Sequence, residues 1–268
     1  PEFRAITGEA RRRNFSDPDA LTVRYLDEKT AYLSVNTFVN YRTPVDPIAV
    51  FEPIFREFKA RGVERLILDN RNNGGGSTDV KNGLLAHLME TDFRGSKAIF
   101  VKTIDVSAFK PHLQTWEPMA LNPPTEAFDQ QENGWYAIKP EMMPELQAIE
   151  ASPHRFAGEL ILLTSHANAS GATQMTGLLK SRPNTRLVGE VTGGTQRGPN
   201  GGVIYFLTLP NSEFVIRIPW QFWQSSIENP VHGQGYSPDI NVPDDYETWL
   251  AGEDTVLAAA LNGWNGPS

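Results

Sequence analysis

The sequence predicts an α/β domain. Short apolar runs of strand length alternate with helical patterns along most of the chain. Two strand-to-helix junctions are rich in glycine, Gly74-Gly75-Gly76 and the turn around Ser170-Gly171. The length of 268 residues, 40% of them hydrophobic and 21% charged, suits one large globular domain or two small ones.

Residues 1–20 are polar, and the run Arg11, Arg12, Arg13 reads as a solvated face. Strands are expected at 21–25 and 31–38, around the turn Asp27-Glu28-Lys29. Pro44 and Pro47 lead into a helix at 48–61, with Val50, Phe51, Ile54, Phe55 and Phe58 on one face and Gly62 closing it. A strand at 66–69, a helix at 78–90 and a strand at 97–103 follow. Residues 104–139 hold Phe109, Trp116, Phe128, Trp135 and Tyr136 among prolines, and neither strand nor helix period fits them. Such an insertion is either a flap over a substrate or a loop packed by its own aromatics. The rhythm resumes with a helix at 140–151, a strand at 159–164, a helix at 171–180 and a strand at 186–190. A hairpin pairs 201–209 with 213–219 around Pro210-Asn211-Ser212. A final helix at 244–261 presents Trp249, Leu250, Val256, Leu257 and Leu261.

Composition excludes several functions. The net charge is −8 and no basic face carries interleaved aromatics, which argues against nucleic acid as a partner. The absence of cysteine removes disulfides and thiolate zinc sites, and no histidine pair has ligand spacing, so no metal or other cofactor is implied. No apolar run has transmembrane length, and no segment of the sequence is expected to act as a signal peptide. The chain opens Pro1-Glu2-Phe3 without a methionine, so a longer natural N-terminus is expected, with 1–30 the remnant of a preceding region.

The chemistry concentrates at the two glycine-rich junctions. Leu66-Ile-Leu-Asp-Asn-Arg-Asn-Asn-Gly-Gly-Gly76 ends a buried strand in three glycines before a helix. Free N–H groups there can hold an anion or an oxyanion; the plainer reading is a turn that needs positive φ. The stretch lacks the endings of a phosphate loop or a dinucleotide fingerprint. His166-Ala-Asn-Ala-Ser170-Gly171-Ala-Thr173 lies between a strand and a helix. A serine at that position is commonly an N-cap. It also suits a nucleophile, because the helix dipole favours negative charge and the Gly171 N–H lies beside any oxyanion formed there. The glycine run could supply a second donor. The Gly-x-Ser-x-Gly elbow is absent.

These motifs, with Leu187-Val-Gly-Glu-Val-Thr-Gly-Gly194, Gly235-Tyr-Ser-Pro-Asp-Ile-Asn-Val242 and the ending Gly252-Glu-Asp-Thr-Val-Leu-Ala-Ala-Ala-Leu261, resemble the protease domain of the tail-specific, or carboxy-terminal-processing, serine peptidases and their tricorn-core relatives. The resemblance runs from about residue 31 to 261. It implies a crotonase/ClpP-like spiral of ββα units, a core at 31–262, a nucleophile at Ser170, and an oxyanion hole from Gly171 with Gly76 or Gly75. It also implies a peptide or protein substrate, export to the periplasm or cell surface, and a further domain ahead of the core. Oligomeric state is left open.

The resemblance is incomplete at the general base. The lysine that classic members carry 25 residues after the serine is Thr195 here, no other lysine is expected near the serine, Lys180 lying on the helix after it, and the early histidine of the tricorn-like branch has no counterpart before His87. His232 is the leading candidate base, since imidazole titrates near neutrality, with Glu228 as an orienting carboxylate. His166 and Trp220 are candidates to line the substrate cleft, and Asp69 and Arg71 to brace the glycine turn. Two other functions stay open: a non-catalytic carrier of an apolar molecule or peptide, and an acyl-thioester enzyme that polarises its substrate with paired N–H groups.

Overall fold

The computed structural model describes residues 13–243 and 245–262. Arg11 and Arg12, position 244 and the Trp249 side chain, all named above, lie outside that description. The elements in chain order are β1 (Leu21–Tyr25), β2 (Thr30–Val35), α1 (Pro47–Arg61), β3 (Arg65–Asp69), α2 (Thr78–Ala86), β4 (Ser96–Val101), β5 (Leu113–Gln114), β6 (Phe128–Gln130) and β7 (Tyr136–Ile138). There follow β8 (Glu159–Thr164), α3 (Gly171–Lys180), β9 (Thr185–Gly189), β10 (Ile204–Thr208), β11 (Val215–Pro219), β12 (Gln221–Ser225), β13 (Ile240–Asn241), α4 (Tyr246–Leu250) and α5 (Thr255–Asn262).

The main sheet has the order β1-β2-β3-β8-β9-β13. Its strands from β2 onward run parallel, and only β1 is antiparallel. Alternating strand residues supply both faces. Leu33, Leu66, Leu68, Leu160 and Leu162 face Phe51, Phe55 and Phe58 of α1, Leu84 and Leu85 of α2, and Met175 and Leu179 of α3. Tyr32, Ile67, Ile161, Leu163 and Val188 face Val256 and Ala260 of α5. A parallel sheet covered on both sides accounts for the near-continuous apolar strands. Residues before 31 join this body, since Phe15 is buried in the first cluster and β1 pairs along its length with β2.

Two smaller sheets carry the rest. One orders β11-β10-β5 and the other β12-β4-β7-β6. The segment 104–139 therefore contributes three short strands, β5 to β7, to these sheets. Its apolar residues feed small clusters, Val106 and Ala120 with Tyr205, and Ile138 with Ile99 and Trp223.

Two expected helices are corrected. Residues 140–151 form the single 3₁₀ turns Pro140–Met142 and Pro144–Leu146 and a bridge from Ile149 to Phe93, with no α-helix. Pro144 has no N–H and would clash with the carbonyl of residue 140 in a continuous helix. The expected helix at 244–261 is split into α4 and α5, with Gly252 at φ +73° between them. Asp254, at the break, pairs with Arg71 at 2.7 Å. Among the described residues no helix is long and apolar enough to cross a membrane.

The N-terminal ends of β8 and β9 are held by Arg182, which is only 4% exposed. Its guanidinium donates to the carbonyls of Leu88, Phe156, Gly158 and Pro183. Burial holds its pKa below the usual arginine value, against the field of Glu90. Arg182→Met is expected to cost about 3 kcal/mol or more, because buried carbonyls lose their donor. Urea unfolding monitored by tryptophan fluorescence measures it, and the midpoint should fall without a change in slope.

Candidate active site

Because β2, β3 and β8 are parallel, the loops that leave their C-terminal ends emerge on one edge of the sheet. Crevices at that edge are the usual ligand sites of open α/β sheets. The loop after β2 brings the backbone of Phe38 to the glycine run. Phe38 N donates to Gly75 O at 3.1 Å and Ser77 N donates to Phe38 O at 2.7 Å, forming a parallel bridge between Phe38 and Gly76. The packing permits no side chain at this corner. A β-carbon on Gly76, which has φ +143°, would lie 2.3 Å from the Phe38 carbonyl carbon. One on Gly75, at φ +94°, would lie 2.9 Å from Ser170 Cβ and 3.0 Å from Gly171 N. The glycine turn and the serine turn are thus in direct contact.

Buried asparagines stitch the two turns together. Asn168, fully buried, donates from Nδ2 to the carbonyls of Asn70 and Asn73 and accepts from Ser165 N at 2.9 Å. Asn73, also fully buried, donates to Val35 O and accepts the Gly75 N–H at 2.8 Å. Ser165 Oγ donates to Arg71 O. Asp69 accepts from Arg71 N, Nε and Nη2 and from the Tyr32 hydroxyl, while Arg71 reaches on to Asp254. This fixes the approach to the glycines from below.

Ser170 stands at the N-cap of α3, but it is not a conventional cap. Its φ and ψ are 51° and −124°, and its side chain makes no capping hydrogen bond. A non-glycine residue in that region is strained by about 1–3 kcal/mol. The serine is exposed on the surface of the turn. Among the described residues the N–H groups of Gly76 and Gly171 have no hydrogen-bond acceptor, whereas that of Gly75 is already given to Asn73.

A small hollow of about 60 Å³ opens beside the serine, lined by Gly76, Lys81, Ser170, Gly171, Gln174 and Trp223 among others. Lys81 comes from the first turn of α2 and is 3% exposed. Its Cδ lies 3.7 Å from where a β-carbon on Gly171 would be. Its Nζ donates to Gln174 Oε1, and Gln174 Nε2 donates to Gly95 O at 2.7 Å. Burial lowers the Lys81 pKa to about 8, with Glu145 acting weakly in the opposite direction.

The remaining candidates are dispersed. His232 is exposed and lines a second hollow that it shares with Ser170, Thr195 and Arg197. Glu228 is exposed and lines neither hollow. His166 turns to another face, where Nδ1 lies 3.2 Å from Val191 O and 3.5 Å from Glu190 in a hollow without Ser170. Trp220 donates to Thr103 O and packs on Phe128 and Tyr205, outside both serine hollows, while Trp223 occupies the cleft wall. Sequence reasoning overlooked Lys81 and Gln174. The signal for Lys81 was its place on the inward stripe with Leu84, Leu85 and Leu88, where a lysine needs a reason.

The profile of peptidase family S41 matches residues 29–242. The chain belongs to this family. Solved structures with the same fold include a protein from Parabacteroides merdae assigned as a peptidase, with a TM-score of 0.63 and 19% identity over 93% of this chain and 65% of that one. Mature CPAF complexed with lactacystin gives a TM-score of 0.56 and 17% identity over 88% of this chain and 52% of that one. A protein from Bacteroides fragilis assigned as an S41 protease gives 0.54 and 18% over 90% and 56%. The chain therefore spans between about half and two thirds of the length of these proteins. No curated protein shows significant sequence similarity.

The stitch can be tested without any assay of function. Asn168→Ala removes both donors to the glycine-turn carbonyls and the acceptor for Ser165, and is expected to cost about 2–4 kcal/mol. Urea denaturation provides the figure; a loss under 0.5 kcal/mol, within the range of an ordinary surface change, would contradict the clamp.

Proposed function

We propose that this chain is a serine peptidase that cleaves extended or unfolded polypeptides through an acyl-enzyme on Ser170. The observation that carries the reading is the conformation of Ser170. It is exposed, strained, uncapped, and set between two N–H groups that have no acceptor. In this reading Ser170 Oγ attacks the scissile carbonyl, and the N–H groups of Gly171 and Gly76 hold the oxyanion. The Asn73 bond to Gly75 leaves Gly76 as the donor from the glycine run. The acyl-enzyme is then released by water.

Family membership supports a wider reading. The parallel sheet with α1 to α3 on one face is one turn of a crotonase-like spiral of ββα units. The core extends over 31–262 with the preceding β1 packed on it, and 104–139 forms the elaboration that shapes the cleft. The substrate is an internal peptide segment laid along the cleft edge, as in strand addition. The compartment is the periplasm or cell surface.

A fluorophosphonate probe tests the nucleophile. Wild-type protein should be labelled on Ser170, and Ser170→Ala should lose labelling and lower hydrolysis of an unfolded casein substrate at least about 10³-fold. An unlabelled wild type would favour the non-catalytic alternative, for which the apolar hollow of about 350 Å³ between Trp116, Met119, Met143, Trp220 and Trp223 is the natural ligand site.

A further inference from the structure

A lysine buried without a carboxylate partner is rare, because a charged ammonium is costly to desolvate. Lys81 is 3% exposed and, among the described residues, forms no ion pair within 4 Å. The groups around it are polar and uncharged. Gln174 Oε1 on α3 accepts from it, Gly95 lies close to its Nζ, and Asn82 belongs to its own helix. Among the described residues the one charged group acting on it is Glu145, from the turn Pro144–Leu146. A fold that needed only packing here would place a methionine or leucine on the stripe with Leu84, Leu85 and Leu88.

The side chain also leads to the nucleophile. It leaves the first turn after the glycine corner, passes beneath Gly171, and ends at Gln174, one helical turn beyond Ser170. Lys81, Gln174, Gly76, Gly171 and Ser170 all line the same small hollow. No hydrogen bond joins Lys81 Nζ to Ser170 Oγ here, and catalytic pairs commonly close only in the substrate complex. Gln174 is itself fixed by donating to Gly95 O and Ser96 Oγ, so its Oε1 is oriented toward the amine.

Resting on the serine-peptidase reading, we propose that Lys81 is the general base for Ser170, an amine supplied by the helix after the glycine turn in place of the position occupied by Thr195. The neutral amine donates one hydrogen to Gln174 and points its lone pair at the serine. As Ser170 Oγ bonds to the carbonyl carbon, Nζ takes the hydroxyl proton and the π pair moves onto the carbonyl oxygen, held by the two N–H groups. When the C–N bond breaks, the ammonium returns that proton to the leaving amine. Water repeats the cycle: Nζ takes its proton, its oxygen bonds to the acyl carbon, and Ser170 leaves with the proton restored. Desolvation suits the lysine to this role, since its lowered pKa of about 8 leaves a usable neutral fraction near neutrality.

Two substitutions test the assignment. Lys81→Met keeps the volume and removes the amine; Lys81→Arg keeps a charged donor for Gln174 but cannot give up its proton. Both are expected to fold, by circular dichroism and thermal melting, and to lower the rate of fluorophosphonate labelling and of casein cleavage by at least about 10²-fold. In the wild type, kcat/KM should rise with pH and level off above an apparent pKa near 8, and that step should vanish in both variants. His232→Gln should keep the pH step near 8, whatever its effect on the absolute rate. Labelling of Ser170 that persists in Lys81→Met with an unchanged pH profile overturns the lysine assignment and leaves the nucleophile standing. A pH step that disappears in His232→Gln instead transfers the role to the histidine. Failure of the wild type to label overturns the serine reading, and the lysine assignment falls with it.

Discussion

The candidate active-site edge depends on one buried amide. Asn168 Nδ2 is shared between the carbonyls of Asn70 and Asn73, so the side chain of the serine turn completes the hydrogen bonding of the glycine turn. Asn70 O also accepts from Asn73 N within its own turn at 2.9 Å, so the shared amide adds a second bond there and gives Asn73 O a donor from the other loop. The contact also explains why the glycines are there. With a β-carbon on Gly75 or Gly76 the turns would separate from each other or from Phe38. Two positions nearly a hundred residues apart therefore place their amides beside a single hydroxyl, and the parallel sheet beneath sets the spacing.

The strain at Ser170 belongs to the same construction. A serine at φ 51° would relax if its turn were free, since an ordinary N-cap geometry with a side-chain hydrogen bond is available to this residue type. The turn is not free. Gly194 N and Thr173 Oγ1 both donate to Asn168 O, and Ala172 N donates to Ala169 O, so the backbone on either side is fixed. The core residues of α3 hold the helix start in register. What would be a cap elsewhere becomes an outward-pointing hydroxyl with two unused amides beside it.

Much of this fold was legible in the sequence, since apolar period reports packing. Residues 159–164 and 171–180 form β8 and α3 at the expected bounds, because uninterrupted apolar runs and a terminal glycine leave little choice. The expectation at 140–151 failed because two prolines four residues apart outweigh a weak apolar pattern. The C-terminal helix was drawn through Gly252 because an ion pair from Arg71 to Asp254, 183 residues apart, leaves no local mark. In the site, Ser170, Gly171 and Gly76 were marked by motif and by steric need. His166 and Trp220 were chosen for proximity in sequence or for residue type, and neither says which way a side chain turns. Lys81 was passed over because lysine on a helix is ordinarily solvated, and only the depth of its stripe distinguishes it.

That depth bears on how such a site can work. An exposed lysine keeps a pKa near 10.5 and is almost wholly protonated at neutral pH, so it cannot accept the serine proton. Burial lowers that value but is unfavourable to the charged form, and a carboxylate partner would undo the shift by stabilising the ammonium. A neutral acceptor resolves the conflict. Gln174 satisfies one N–H whether the amine is charged or neutral, and so positions the group without fixing its protonation. The amide of Gln174 is held in turn by Gly95 and Ser96 at the start of β4, the strand that carries the smaller sheet against this edge. The aromatic insertion reaches the serine through the same strand, as β4 pairs with β7 and β12. Residues 104–139 line neither hollow beside the serine; through the pairing of β7 with β4 they brace the strand whose start holds Gln174, the acceptor of the buried amine.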